Sequence, residues 1–158
     1  MCIRDRSNLA NLYAELKELP EALRLSNQSK NIFKKVLGEE HPKYADALNN
    51  LAGLYKKTGN LRLARNLLLK AKSIYEKVYS EKTPRYINIL INLAEIDHSL
   101  GATQSSWLLL NQIMNNIAGV QMKHEFDLAW QDSLMQATYS SNKHIDYMLV
   151  SLLSLIHI

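Results

Sequence analysis

The feature that most constrains how this chain folds is an internal repeat of 42 residues. Aligning residues 7–48 with residues 49–90 gives 16 identical positions out of 42. The run Asn-Leu-Ala-x-Leu-Tyr at 8–13 recurs at 50–55, and Asn-Leu-Ala begins again at residue 92. A repeat of this length is typical of stacked helical units, each of which buries its apolar face only against its neighbours.

Each copy of the repeat is predicted to form two helices joined by a turn. In the second copy, the apolar residues at the spacing of one helix face are Leu48, Leu51, Ala52 and Tyr55. Gly59 follows them, and glycine readily takes the left-handed conformation that ends a helix, so a second helix is predicted from about Leu61. Between copies, Thr83 is placed to cap the next helix and Pro84 to occupy its first position. The predicted fold class is therefore all-α.

Small residues are expected where the two helices of a pair approach closely. The alanines that recur at this position are Ala10, Ala52 and Ala94. Larger side chains there would push the helices apart. The third copy departs from the first two, because Asp97 stands where Tyr13 and Tyr55 stand.

The predicted organisation is three repeats followed by a weaker copy. The repeats are placed at residues 7–47, 48–89 and 90–118. Residues 119–152 are predicted to be a degenerate fourth repeat, a cap or a junction with another domain, since Phe126 stands at the proline position. The first copy starts within a helix, which indicates an array entered partway.

Residues 1–6 and 153–158 are predicted not to be native protein. Back-translated as ATG TGT ATA AGA GAC AG and CTG TCT CTT ATA CAC ATC, they are reverse complements over the shared stretch. They also resemble the transposase end used to prepare sequencing libraries, so they are left out of the fold prediction. The sole cysteine, Cys2, lies in the first of them. A native stretch without cysteine offers no disulfide or thiolate, which fits the predicted cytoplasmic location.

Charge argues against nucleic acid as a partner. The whole chain has 19 basic and 15 acidic residues, and leaving out Arg4, Asp5 and Arg6 gives 17 − 14 = +3. This charge is small and dispersed along the chain, so RNA binding by a helical repeat is disfavoured. The apolar tail at 145–158 is shorter than the ~20 residues that a membrane-spanning helix needs, so no membrane association is predicted.

A resemblance to a known family rests on the motif of the second copy. Its residues are the run Leu-Asn-Asn-Leu-Ala-x-Leu-Tyr at 48–55 followed by Gly59, Ala64 and Ala71. This pattern resembles the tetratricopeptide repeat. The long second helix, the linker Gly-Glu-Glu-His-Pro-x-Tyr-Ala at 38–45 and the 42-residue period resemble its kinesin-light-chain-like subtype, which is also common in bacterial arrays. The resemblance is good over 7–118 and poor over 119–152.

The resemblance implies a right-handed superhelical solenoid of antiparallel helix pairs, whose first helices line a concave groove for a peptide or protein. Candidate groove residues are the polar side chains of these helices: Asn11, Asp46, Asn49, Asn50, Lys56, Asn88, Asn92, Glu95 and His98, with Ser7, Asn8 and Ile91 on the same surface. An asparagine amide donates and accepts, so it can bind a peptide backbone. Alternatively, Asn8, Asn50 and Asn92 satisfy carbonyls of the protein itself. Lys56 is the only basic residue in the set, so a site for a C-terminal carboxylate is not indicated.

No pattern indicates catalysis, a cofactor or a metal ion in this segment. His41 belongs to the turn between repeats, and His124 lacks the second histidine that a zinc site on a helix needs. Neither a phosphate-binding loop nor a nucleophile elbow is present. Trp107 and Trp130 are assigned to packing, with a place in the groove as the alternative. The predicted function is therefore a protein-interaction scaffold.

A second prediction belongs to a different class of protein. Arrays that resemble this one often precede an effector domain, such as a CHAT-type protease, a sensor kinase or an ATPase. The fading of the repeat after residue 119 is what a junction with such a domain would look like. On this alternative the chain is the regulatory segment of an enzyme whose catalytic residues lie elsewhere.

Overall fold

The computed structural model describes residues 3–78 and 83–117, which form six α-helices. The helices are α1 (Ile3–Glu15), α2 (Leu19–Leu37), α3 (Pro42–Lys57), α4 (Leu61–Val78), α5 (Pro84–Ser99) and α6 (Thr103–Ile117). Each helix packs on the next, and α3 also touches α5. The predicted all-α solenoid of helix pairs is confirmed. Helix α1 runs through residues 3–6, which the sequence predicts to be adapter-derived.

The turn inside each pair uses the same repeat position. Lys17, Gly59 and Gly101 are 42 residues apart and have positive φ angles of 63°, 79° and 76°. In each turn the following amide donates back into the helix, as from Asn60 N to Tyr55 O at 2.9 Å. The left-handed conformation predicted for Gly59 is confirmed, and Lys17 adopts it without the freedom that glycine has.

The turns between pairs are capped by side chains, followed by a proline at the first helical position. His41 Nδ1 accepts a hydrogen bond from the Lys43 amide at 3.1 Å, at the start of α3. Thr83 Oγ1 accepts one from the Tyr86 amide at 3.3 Å, at the start of α5. The predicted cap at Thr83 is confirmed, and His41 has the structural role that the sequence predicts.

The core runs through the pairs as the repeat predicts. The recurring alanines are all buried, with exposed fractions of 1% for Ala10 and 0% for Ala52 and Ala94. A large apolar cluster spans α3 to α6, and a smaller one, which includes Ala22 and Leu54, joins the first pair to α3. The helices of adjacent pairs are thus held together mainly by apolar burial.

One part of the core is polar. Asp97 of α5 is fully buried, and its Oδ1 accepts a hydrogen bond from Arg65 Nε of α4 at 2.5 Å. Its Oδ2 accepts from Arg65 Nη2 at 3.3 Å and from the Ser105 hydroxyl of α6. The departure from tyrosine at this position therefore builds a buried ion pair that joins three helices.

The predictions for residues 118–158 lie outside the described part of the chain. They concern the fourth repeat at 119–152, His124, Trp130 and the adapter at 153–158.

Candidate peptide-binding surface

The polar residues of α3 and α5 form two rows that face each other. On α3, the residues at the i, i+3, i+7, i+10 spacing of one face are Asp46, Asn49, Gly53 and Lys56. On α5, the residues at the same spacing are Arg85, Asn88, Asn92 and Glu95. Because α3 touches α5, side chains from the two rows bond across the boundary between repeats. We call these eight residues the inner seam.

At one end of the inner seam, Asp46 is held by two partners. Its Oδ2 forms an ion pair with Arg85 of α5, and its Oδ1 accepts a hydrogen bond from the Tyr75 hydroxyl of α4. Burial, reinforced by the bond to Asp46, raises the pKa of Tyr75 well above its ordinary value. The hydroxyl therefore stays protonated and keeps donating in alkaline solution as well as at neutral pH.

Three asparagines occupy the centre of the inner seam. Asn92 Nδ2 donates to Asn49 Oδ1 at 2.9 Å, across the repeat boundary, and to Asn88 Oδ1 at 3.1 Å, one turn earlier on its own helix. Asn49 and Asn88 take part through their oxygens, so their amide nitrogens stay available as donors. The central part of the inner seam thus carries amide groups on both helices.

At the other end, Lys56 of α3 forms an ion pair with Glu95 of α5. The two side chains are 39% and 23% exposed, so the pair is partly shielded from water. Gly53 lies between Asn49 and Lys56, and a β-carbon built there meets no atom within 4 Å. The middle of the α3 row is therefore open space.

The structure joins six of the predicted groove residues through side-chain contacts. The six are Asp46, Asn49, Lys56, Asn88, Asn92 and Glu95. Asn11 of α1 and Asn50 of α3 are exposed, and His98 of α5 is half-buried. The side-chain amide of Asn92 is bonded within the protein, to the side-chain oxygens of Asn49 and Asn88. The expectation that Ile91 belongs to this surface is wrong, because its side chain is 7% exposed and packs in the main core.

Sequence reasoning missed Arg85 and Tyr75. Arg85 was detectable, because it stands three residues before Asn88 on the same helix face. Both ion pairs of the inner seam join residues 39 apart in the sequence, which is about one helical turn less than the repeat. A search for opposite charges at that separation would have found Arg85. The set therefore contains a second basic residue besides Lys56.

The described residues were also compared with the requirements of a metal site and of a membrane-spanning helix. Within 3–78 and 83–117, no group of three or more histidine, cysteine or acidic residues is placed to hold a metal ion. In the same part of the chain, no helix is long and apolar enough to cross a bilayer. Trp107 packs against the main apolar cluster, as the packing assignment predicts.

Comparison with solved structures shows the same architecture. The chain is similar to BtubC (BKLC) from P. vanneervenii, with a TM-score of 0.68 and 20% identity over 73% of this chain and 45% of that one. It is also similar to a putative kinesin light chain from Podosopora anserina with nearly identical TPR-like repeats, with a TM-score of 0.71 and 23% identity over 96% of this chain and 75% of that one. A single-residue variant of the latter protein gives 0.71 and 22%, over 96% and 74%. This chain thus spans less than half the length of BtubC.

No curated protein matches the sequence. The family model described as tetratricopeptide repeat matches it twice, at residues 6–77 and 47–118, which together make up more than half of the chain. This match shows that the chain belongs to the tetratricopeptide repeat family, and its fold is similar to that of the TPR-like repeats of a putative kinesin light chain.

Proposed function

We propose that the chain binds an extended segment of a partner protein along the inner seam. Tetratricopeptide repeats generally mediate protein–protein interaction. The observation that carries the proposal for this surface is the pairing of two polar rows from adjacent repeats. Arrays of this kind offer their continuous inner surfaces to partners. Here the bridges between α3 and α5 hold that surface in a defined geometry, which lowers the entropy lost on binding.

The central asparagines favour recognition of a peptide backbone. The amide nitrogens of Asn49 and Asn88 are donors for backbone carbonyls, and the Asn92 oxygen is an acceptor for a backbone amide. Because every residue other than proline carries both of these backbone groups, such contacts position the segment without selecting a side chain. Selectivity then comes from the two ends of the inner seam.

The charges of the inner seam are balanced, which limits the kind of partner. Asp46 is paired with Arg85, and Lys56 with Glu95, so neither end carries a net charge of one sign. A strongly charged partner would have to compete with these pairs. We therefore expect the affinity for the partner segment to change little between low and physiological salt.

Gly53 supplies a direct test of the proposal. The position lies inside α3, where glycine is unfavourable to the helix by about 0.5–1 kcal/mol relative to alanine. A side chain added there points into open space beside Asn49 and Lys56. Gly53→Trp should therefore obstruct the inner seam while leaving the helices intact, and Gly53→Ala is the matched control with minimal bulk.

The experiment selects peptides from a displayed random library on the immobilised chain and measures their affinity by fluorescence anisotropy. We expect Gly53→Trp to lower the affinity for the selected peptides by about tenfold or more. A tenfold loss corresponds to about 1.4 kcal/mol of binding free energy. Gly53→Ala should bind nearly as the unchanged chain does. The urea midpoints of both variants should equal or exceed that of the unchanged chain.

The pair Asn49→Ala and Asn88→Ala tests the central asparagines separately. Affinity should fall while the thermal midpoint stays nearly constant. If the selected peptides bind all these variants as tightly as the unchanged chain, the partner uses another surface and the proposal is wrong. If the asparagine variant unfolds instead, those amides serve the fold.

A further inference from the structure

The buried polar cluster of Arg65, Asp97 and Ser105 lies where the second helix pair meets the third. Arg65 belongs to α4, Asp97 to α5 and Ser105 to α6. The carboxylate is 0% exposed, whereas the Arg65 side chain is 34% exposed. Both carboxylate oxygens accept hydrogen bonds, so the buried charge is compensated.

The equivalent positions where the first pair meets the second are apolar. Subtracting 42 from each number gives Leu23 of α2, Tyr55 of α3 and Leu63 of α4. Leu23 packs against the small cluster that includes Ala22 and Leu54. The two junctions therefore have the same helix arrangement and opposite chemistry at these three positions.

The repeats share much of their apolar frame. The first two copies share 16 of 42 residues, and Ala52 and Ala94 are both fully buried at their close contacts. Misplaced stacking of the repeats would put α5 against α2 instead of α4. In that misplaced arrangement, Asp97 would face Leu23 instead of Arg65, and a buried carboxylate without a partner is strongly unfavourable.

We propose that Arg65 and Asp97 determine which helix pairs stack on each other. The ion pair favours packing of α5 on α4 and disfavours packing of α5 on α2, both within one chain and between two copies of the chain. A buried polar pair of this kind selects one arrangement among several of similar shape, as single polar residues do in coiled coils. Misassembly between repeats is a characteristic failure of repeat proteins, and this pair would oppose it.

The test makes the two junctions alike and then makes them different again. Arg65→Leu/Asp97→Tyr gives the second junction the residues of the first at the two paired positions, with Ser105 kept. Leu23→Arg/Tyr55→Asp gives the first junction the residues of the second at the same two positions, with Leu63 kept. The fourfold exchange Leu23→Arg/Tyr55→Asp/Arg65→Leu/Asp97→Tyr swaps the junctions, so that they differ once more. The full chain is refolded from urea at low and high protein concentration, with a reducing agent present because of Cys2. Size-exclusion chromatography with light scattering then gives the fraction of dimer.

We expect the unchanged chain to refold as a monomer at both concentrations. Each twofold variant should yield a dimer fraction that rises with the concentration during refolding and that persists on dilution, because exchanged helix pairs separate only by unfolding. The fourfold exchange should return to monomer. That recovery would show that the difference between the junctions, rather than the charge itself, sets the order of stacking.

Several outcomes would overturn the proposal. A strictly monomeric Arg65→Leu/Asp97→Tyr variant with a helical spectrum would show that the pair has no part in selecting the arrangement. A fourfold exchange that dimerises like the twofold variants would show the same. If a twofold variant does not refold, the charge reversal Arg65→Asp/Asp97→Arg decides, because it keeps the junctions different. A monomer then supports the proposal, and a dimer contradicts it.

Discussion

The two junctions between successive helix pairs share an apolar frame, which includes the buried alanines Ala52 and Ala94, and differ in their polar contacts. Three equivalent positions can be compared at the two junctions, namely a tyrosine of the first helix and one residue of the second helix on either side of it. At the first junction these are Tyr44, Lys34 and Lys70, with the Lys70 ammonium 5.5 Å from the centre of the Tyr44 ring. Glu39, in the linker, forms ion pairs with both lysines.

At the second junction the same three positions are Tyr86, Glu76 and Gln112. The Tyr86 hydroxyl donates to Glu76 Oε1 at 2.9 Å and accepts from Gln112 Nε2 at 3.0 Å. The tyrosine itself is fully buried. A bridge through an exposed linker carboxylate at one junction thus becomes a bridge through a buried hydroxyl at the other. The comparison shows that the apolar frame sets the geometry, while the polar contacts vary without disturbing it.

The largest expected effect tests the frame that both junctions share. Ala52→Trp and Ala94→Trp each place an indole where the exposed fraction is 0%. Each should lower the free energy of unfolding by about 3 kcal/mol, because overpacking displaces both helices of the contact. Urea denaturation followed by circular dichroism measures the loss. Lys57→Trp, at an exposed position, is the control. Unchanged stability in either alanine variant would mean that the alanines are not the shared close contact.

The next effect separates the two tyrosines. Tyr86→Phe removes a hydroxyl that satisfies Glu76 and Gln112, so it should lower the free energy of unfolding by about 2 kcal/mol. Tyr44→Phe keeps the ring beneath Lys70 and should lower it by less than about 0.5 kcal/mol. Thermal and urea unfolding of the two variants side by side measure the difference. Equal losses would remove the distinction drawn between the junctions.

A smaller effect is a gain at the turn inside the first pair. Lys17 has a φ of 63°, at the position where the other two pairs have Gly59 and Gly101. Lys17→Gly should raise the free energy of unfolding by about 1 kcal/mol, because glycine takes this conformation without steric conflict. The reciprocal change Gly59→Lys should lower it by a similar amount. A destabilised Lys17→Gly variant would show that the lysine makes a contact worth more than the strain.

The smallest effect concerns the exposed bridge of the first junction. The ammonium groups of Lys34 and then Lys70 lower the pKa of Glu39 to about 2. A folded-state pKa below the unfolded value means that this stabilisation is present above about pH 4.5 and is lost as the pH falls toward 2. The slope of stability against pH in that window should be shallower in Glu39→Gln than in the unchanged chain. The difference should shrink in 1 M salt, and a salt-independent slope would contradict the assignment to these ion pairs.

Contacts that are local or that recur in each repeat could be predicted from the sequence. Contacts between side chains of different repeats could not, because they depend on how the repeats stack. Gly59 and the Thr83-Pro84 turn follow from residues within a few positions of one another, so they were predicted correctly. Arg85 was missed because its partner Asp46 is 39 residues earlier, on a different repeat. Asp97 was noticed only as a departure from tyrosine, since its partner Arg65 becomes its neighbour only when the repeats stack.

Ile91 shows a different source of error. Its equivalent in the second copy is Asn49, a half-buried residue of the inner seam. The prediction assumed that the equivalent position of α5 lies on the same surface. Helix α5 is apolar over a wider arc than α3, so position 91 turns into the core there. Equivalence in a repeat fixes the place of the backbone, whereas burial depends on what each neighbouring repeat presents.

The inner seam also has a mechanical consequence. Pulling the solenoid along its long axis separates the first helices of adjacent pairs, so the load falls on the described bridges Asp46–Arg85, Asn49–Asn92 and Lys56–Glu95. We expect these bridges to stiffen the joint between the second and third pairs in extension. Single-molecule stretching would then show that joint yielding at lower force once Asn49 and Lys56 are replaced by alanine.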